Sequence, residues 1–235
     1  MQERALKKWK TARRHGFFSI PLRPIMTRTT TDFMDNGIRN LVFDFGGVLI
    51  DIDPRRCVEE FEKLGFGPAE ELIGKYWQRG VFRDFELGNV SSEVFCQSVR
   101  NEAGRRVTDE EIIAAWNAML CDIAPAKLER LLELRKDYKV YLLSNTNVLH
   151  WEAARRLFAR GGHSLQDYFD DVFLSFEMHQ AKPDAGIFQS LAMRTGLFPH
   201  ETLLIDDASA NCDVARSLGW HTHCVNPGED WTSTI

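Results

Sequence analysis

Short, unbroken apolar runs recur along this chain, with amphipathic stretches between the later ones. Leu41-Val42-Phe43, Val140-Tyr141-Leu142-Leu143, Val172-Phe173-Leu174 and Leu203-Leu204-Ile205 are too short for helices and show no polar alternation. That pattern predicts strands buried on both faces. Thr222-His223-Cys224-Val225 is a weaker fifth run. Helix-like segments lie near 147–160, 184–195 and 209–218. Strand alternating with helix predicts an α/β fold with a parallel sheet covered on both sides. Right-handed crossovers then bring every strand's C-terminal end to one edge, where open sheets of this kind bind ligands. All but the weakest run end on or just before a polar residue, so those residues are expected to converge there.

The interval from about Pro54 to Ala124 differs. It offers no convincing strand, and its helical patterns include Glu110 to Leu120, with Ile112, Ile113, Trp116, Met119 and Leu120 as apolar positions. Thr108, with Glu111 three residues on, is a capping-box signature for that helix. A helical module inserted after the first strand is the expected organisation. Residues 37–53 and 125–235 then form the core, 54–124 the insertion, and 1–36 a basic N-terminal extension.

Composition and charge narrow the function. Hydrophobic content of 44% and charged content of 27% are ordinary for a globular chain, and 235 residues suffice for a core with a smaller module. A net charge of -5 gives no reason to expect a nucleic-acid partner or a membrane surface. No apolar stretch reaches the length of a membrane span. Residues 1–36 hold eight of the 29 basic and three of the 34 acidic residues, which leaves 21 against 31 in the body. The extension has no long apolar stretch and is a poor secretory signal. It reads as a disordered basic tail, a transit-like peptide, or sequence upstream of a true start at Met34. Five scattered cysteines without a C-x-x-C pair predict reduced thiols in a cytoplasmic protein, not a disulfide framework or zinc site.

The candidate chemistry begins at Asp44, which closes the first run and precedes Phe45-Gly46-Gly47. Asp44, Asp206 and Asp207 on one sheet edge would repel by about 4 kcal/mol per pair at roughly 4 Å and an effective dielectric of about 20. A cation must compensate. Lys182 and a divalent metal are the candidates, and all-oxygen ligands suit Mg²⁺. Ser144-Asn145-Thr146-Asn147 follows a strand and opens a helix, where hydroxyl, amide and free backbone N–H groups make a phosphate cradle. These pieces describe a phosphate held between a helix start, a lysine and Mg²⁺, with Asp44 placed to attack. Taken singly, Ser144-Asn145 also fits a plain N-cap, and Lys182-Pro183-Asp184 a turn into a helix. Their order at successive strand ends favours the joint reading.

Four segments resemble, in order, the motifs of the haloacid dehalogenase-like (HAD) hydrolase superfamily. They are Phe43-Asp44-Phe45-Gly46-Gly47-Val48-Leu49, Leu143-Ser144-Asn145, Lys182-Pro183-Asp184, and Ile205-Asp206-Asp207 with Asn211. The resemblance spans Ile38 to about Val225 and implies a Rossmann-like core with a small helical cap inserted after the first motif. It implies that Asp44 is the nucleophile forming an aspartyl-phosphate and also a metal ligand. Ser144 and Asn145 would hold the phosphate, and Lys182 would steady both nucleophile and phosphate. Asp207, helped by Asp206, would complete the Mg²⁺ site, and the Gly46 carbonyl can reach the same metal.

One departure matters. Phosphatases of this superfamily usually carry a second aspartate two residues after the nucleophile, as general acid and then base. Gly46 stands there, and such a group typically contributes roughly 10²–10⁴-fold to the rate. A readily departing leaving group relaxes the need, and Asp51 and Asp53 are candidate replacements. The stretch from Asp44 to Asp53 looks like the opening of bacterial sugar-phosphate phosphatases, including alpha-glucose-1-phosphate phosphatases, which also lack that aspartate. The expected function is therefore a Mg²⁺-dependent phosphatase of a small phosphorylated metabolite, a sugar phosphate, working as a monomer or homodimer. Two alternatives stand beside it. A 2-haloacid dehalogenase needs no metal and has no use for Asp206-Asp207; a phosphate-binding protein built on a degraded hydrolase has only Gly46 in its favour.

Other residues carry plainer readings. His221 and His223 share a strand face, but nothing near them completes a metal site. Trp77, Phe82, Phe85 and Trp116 are expected to pack the insertion. The segment Phe82 to Gly88 is similar to a cap stretch of this branch of the superfamily, which makes Arg83 and Glu86 candidates for substrate contact.

Overall fold

The computed structural model describes residues 37–235 apart from Pro68 and Trp77, so the readings of residues 1–36 and of Trp77 lie outside the described residues. The chain enters at β1 (Asn40–Phe43) and β2 (Ile50–Ile52). Five helices follow: α1 (Pro54–Lys63), α2 (Ala69–Leu72), α3 (Gly80–Glu86), α4 (Ser92–Glu102) and α5 (Asp109–Asn117). The chain returns through β3 (Leu120–Ile123) and α6 (Pro125–Leu134) to β4 (Lys139–Ser144), α7 (Val148–Ala154), α8 (Leu165–Tyr168) and β5 (Asp171–Leu174). It ends with α9 (Ser175–Met178), α10 (Ala185–Thr195), β6 (Thr202–Asp206), α11 (Ser209–Ser217) and β7 (His221–Cys224).

The main sheet has the order β5-β4-β1-β6-β7, with every pair parallel. Its side chains alternate between two apolar layers. Leu41, Phe43, Val140, Leu142, Leu203 and Ile205 join one, while Val42, Tyr141, Leu143 and Leu204 join the other. Both faces are dry, which is why the strands read as continuous apolar runs. The weak fifth run, β7, lies at the sheet's edge and is half-buried throughout. Strand order reverses at β1, with β4 and β5 on one side and β6 and β7 on the other. A crevice opens at the C-terminal end of such a switch point, and Asp44 stands there.

The insertion has its own apolar centre, built from Phe61, Phe66, Phe82, Phe85, Phe95 and Trp116. Phe82 and Trp116 meet with ring centroids 5.0 Å apart, and Phe85 stacks on Phe95 at 4.5 Å. The capping box at α5 is present: Glu111 N–H donates to Thr108 Oγ1, and Thr108 N–H donates to Glu111 Oε2. That helix stops at Asn117, short of the expected Leu120. Leu120 instead opens β3, which pairs antiparallel with β2, so the interval 54–124 does contain a strand. Four residues with Cys121 and Asp122 exposed give too short an alternation to read, and the partner is distant in sequence. The segment 147–160 likewise divides, with α7 tightening into a 3₁₀ turn over Arg155–Ala159, a common way for a helix to end. All five cysteines are free thiols. Among the described residues no helix is long and apolar enough to cross a membrane.

Candidate active site

Asp44 follows β1 directly, and its N–H donates to the Ile205 carbonyl at 2.8 Å, extending the parallel pairing by one step. The carboxylate Oδ1 accepts from Phe45 N–H at 2.6 Å and from Lys182 Nζ at 2.8 Å. Among the described residues Oδ2 accepts no hydrogen bond. Burial pushes the Asp44 carboxyl up to about 7 against the pull of Lys182, and Asp206 and Asp207 add to the rise.

Asp206 ends β6 and is fully buried. Its Oδ1 accepts from Ala208 N–H and Asn211 Nδ2, both at 2.9 Å. Its Oδ2 accepts from Lys182 Nζ at 2.6 Å and Asn211 Nδ2 at 3.0 Å. Lys182 therefore bridges two acids. Burial works against its charge, but Asp206 and Asp44 outweigh that and hold its pKa above the usual lysine value. Asn145, just past β4, clasps the Lys182 backbone: Lys182 N–H donates to Asn145 Oδ1, and Asn145 Nδ2 donates to the Lys182 carbonyl, each at 2.8 Å. This clasp, across 37 residues of sequence, sets where the ammonium points.

Asp207 completes the cluster. Lys75 Nζ, from the insertion, lies 2.9 Å from its Oδ2, an ion pair without hydrogen-bond alignment. Gly47, at φ +80, lies so close that a Cβ there would sit 2.3 Å from Asp207 Oδ2. Only glycine combines that backbone with that approach. Asp44, Asp206 and Asp207 each bring an oxygen within 4.8 Å of the others, and no comparable group is found elsewhere among the described residues. The donor set is all oxygen, as a hard divalent cation prefers. Because both oxygens of Asp206 are engaged, Asp44 and Asp207 present the open ones.

A cavity of about 80 Å³ lies over this cluster, floored by Asp44, Gly46, Asn145, Lys182 and Asp207 and roofed by Lys75, Tyr76, Gln78 and Glu86 of the insertion. The roof is closed. Ser175 Oγ lies 2.7 Å from the Glu86 carbonyl, and His179 Nδ1 lies 2.8 Å from the Leu87 carbonyl. At Gly88, with φ +67, a Cβ would sit 2.1 Å from the Phe176 carbonyl oxygen.

Several expected positions fall elsewhere. Ser144 is buried beneath the end of β4, does not line the cavity, and makes one long contact of 3.4 Å to the Asn145 carbonyl. Thr146 N–H donates to Ser175 Oγ at 2.9 Å, and the Asn147 side chain faces His150, accepting its N–H at 3.1 Å with Nδ2 3.1 Å from His150 Nδ1, so both residues of the expected phosphate cradle are engaged elsewhere. Asp51 and Asp53 do not reach the cavity. Strand alternation turns Asp51 outward to Lys127 at 3.0 Å, while Asp53 caps α1 and binds Arg55. His223 pairs with Glu229 at 2.6 Å. Lys75 and Gln78 escaped notice because each lies in a polar connection with no local signature. Of the two cap residues expected to meet substrate from the resemblance of Phe82 to Gly88, Glu86 lines the cavity and Arg83 does not.

Sheet order, a buried acid–lysine cluster at the switch point and a helical roof define a capped α/β hydrolase. A family model described as haloacid dehalogenase-like hydrolase matches residues 38–219, and the chain belongs to that family. Among relatives, D-ribitol-5-phosphate phosphatase of Bacteroides thetaiotaomicron is 39% identical over 200 residues, covering 84% of this chain and 97% of its own length. A phosphatase of Mycobacterium tuberculosis is 28% identical over 194 residues, with coverage of 80% and 88%. Among solved structures, a wild-type HAD family enzyme of Bacteroides thetaiotaomicron, in complex with magnesium and inorganic phosphate, matches with a TM-score of 0.78. It is 44% identical and covers 83% of this chain and 98% of that one.

Proposed function

We propose that this chain is a Mg²⁺-dependent phosphatase that hydrolyses a phosphorylated sugar or sugar alcohol through an aspartyl-phosphate on Asp44. One observation carries the reading: Asp44 has one oxygen held by Lys182 at 2.8 Å while the other is uncommitted at the floor of the cavity. The free oxygen attacks phosphorus, the ester P–O bond breaks, and water then releases phosphate from Asp44. Lys182, anchored by Asp206, offsets the charge of both nucleophile and phosphoryl oxygens. Asn145 contributes by orienting Lys182. The ion would be held by Asp44, Asp207 and the Gly46 carbonyl, with Asp206 alongside, and supplies the positive charge a carboxylate needs to approach a phosphoryl dianion. Cap closure keeps water out during the first transfer.

Support for the substrate class comes from the ribitol-phosphate phosphatase relative and from a polar roof suited to hydroxyl groups. The acid cluster speaks against metal-independent attack on carbon, and the intact Asp44–Lys182 pair against a degraded site. Phosphate release should be followed from D-ribitol 5-phosphate, other polyol and pentose phosphates and hexose 1-phosphates, with Mg²⁺ or EDTA. Release is expected only with Mg²⁺ and only for protein retaining Asp44. Equal rates in wild type and Asp44→Asn, or turnover of chloroacetate in EDTA, would overturn the proposal.

A further inference from the structure

We infer that Glu86, presented by the insertion, is the general acid and base of this reaction, filling the role left empty at Gly46; the inference rests on the phosphatase reading above. Among the described residues, the carboxylates that line the cavity are Asp44, Asp207 and Glu86. Asp44 is the nucleophile, and Asp207 faces Lys75 within the acid cluster. Lys182 is locked between Asp44 and Asp206. Glu86 alone is a buried acid without such a commitment. Among the described residues its charged contact is Arg83 on the same helix at 3.9 Å, beyond hydrogen-bond reach, so its proton is free to transfer.

Placement agrees with the chemistry. In an in-line transfer the leaving oxygen departs on the side away from the nucleophile. Asp44 attacks from the core side, so that oxygen departs toward the insertion, where Glu86 ends α3. The backbone there is pinned: the Glu86 carbonyl meets Ser175 Oγ at 2.7 Å, and Gly88 packs directly on Phe176. The acid is thus delivered when the cap is shut. Burial also lifts the Glu86 carboxyl to about 7, so both protonation forms are populated near neutrality. In the first half-reaction the Asp44–phosphorus bond forms, the phosphorus–ester oxygen bond breaks, and the departing alkoxide takes the Glu86 proton. In the second, the Glu86 carboxylate takes a proton from water as its oxygen attacks phosphorus. The bond to Asp44 breaks, phosphate leaves, and both acids return to their starting forms.

The test is pre-steady-state product release by the full chain with Mg²⁺, using a primary alkyl phosphate turned over by the wild type and p-nitrophenyl phosphate. Nitrophenolate departs without a proton; an alkoxide does not. In Glu86→Gln the alkyl burst is expected to slow roughly 10²–10⁴-fold while the nitrophenolate burst changes little, and phosphoenzyme accumulates. Equal slowing of both bursts, or of neither, overturns the assignment. Glu86→Asp keeps an acid one methylene shorter, and its alkyl burst should fall between wild type and Glu86→Gln; equal slowing of both substrates again overturns it. Failure of the underlying phosphatase reading looks different, since then Asp44→Asn retains release and no phosphoenzyme forms in any variant.

Discussion

Replacing Lys182 by methionine removes one ammonium from between two buried carboxylates and keeps the side-chain volume. At 2.8 Å from Asp44 and 2.6 Å from Asp206, each attraction amounts to about 6 kcal/mol at an effective dielectric of about 20. Most of that gross figure is offset by the cost of burying the ammonium, and removing one partner of such a pair typically costs about 3–5 kcal/mol. The variant retains three acids within 4.8 Å of one another, with Lys75, 40% exposed, as the cation beside them. A proton held by Asp44 relieves part of the repulsion. Asp44, already raised to about 7 by burial with Lys182 present, rises further without it. The folded variant then binds protons that the unfolded chain gives up near pH 4, so its stability falls as pH increases. Urea unfolding under chelating conditions should show a loss of about 3–5 kcal/mol near pH 8, shrinking toward pH 4. Adding Asp206→Asn should recover part of the loss, with a coupling of about 2 kcal/mol or more. A loss below about 1 kcal/mol near pH 8, or one independent of pH, would refute the reasoning.

Other consequences are open to measurement. Glu86 has its carboxyl raised from 4.5 to about 7 by burial, so the wild type loses stability as pH climbs through that window, by up to about 3 kcal/mol. Glu86→Gln should therefore melt higher than wild type near pH 8 and equal to it near pH 4, and a lower melting point near pH 8 contradicts this. Gly47→Ala, whose Cβ would press on Asp207 Oδ2 at 2.3 Å, should weaken Mg²⁺ binding at least tenfold by calorimetry. Trp116→Ala, which strips a fully buried ring from Phe61, Phe82 and Phe95 and from the stacked His150, should cost about 3–5 kcal/mol in urea unfolding. At Gly46 a Cβ meets only Ile52, at 3.4 Å, so Gly46→Asp added to Glu86→Gln should restore at least tenfold of the alkyl burst.

The sequence determined by itself whatever depends on local period and on strand ends. Continuous runs such as Leu203-Leu204-Ile205 can be buried only on both faces, which dictates a parallel sheet and one functional edge holding Asp44, Lys182, Asp206 and Asp207. It also announced the capping box at Thr108, because that device is complete within four residues. Tertiary structure decided the rest, because the deciding contacts join segments far apart in the chain. Asn145 proved to clasp Lys182 across 37 residues, although its position at a strand end suggested a phosphate contact or a plain N-cap. Asp51 and Asp53 seemed available by proximity to Asp44, yet strand alternation and an N-cap turned them away. Lys75 and Glu86 reach the cavity only because the aromatic centre of the insertion folds them over it. Burial, which lifts Glu86 and Asp44 toward neutrality, is a property of the assembled core and insertion, and no residue carries it alone.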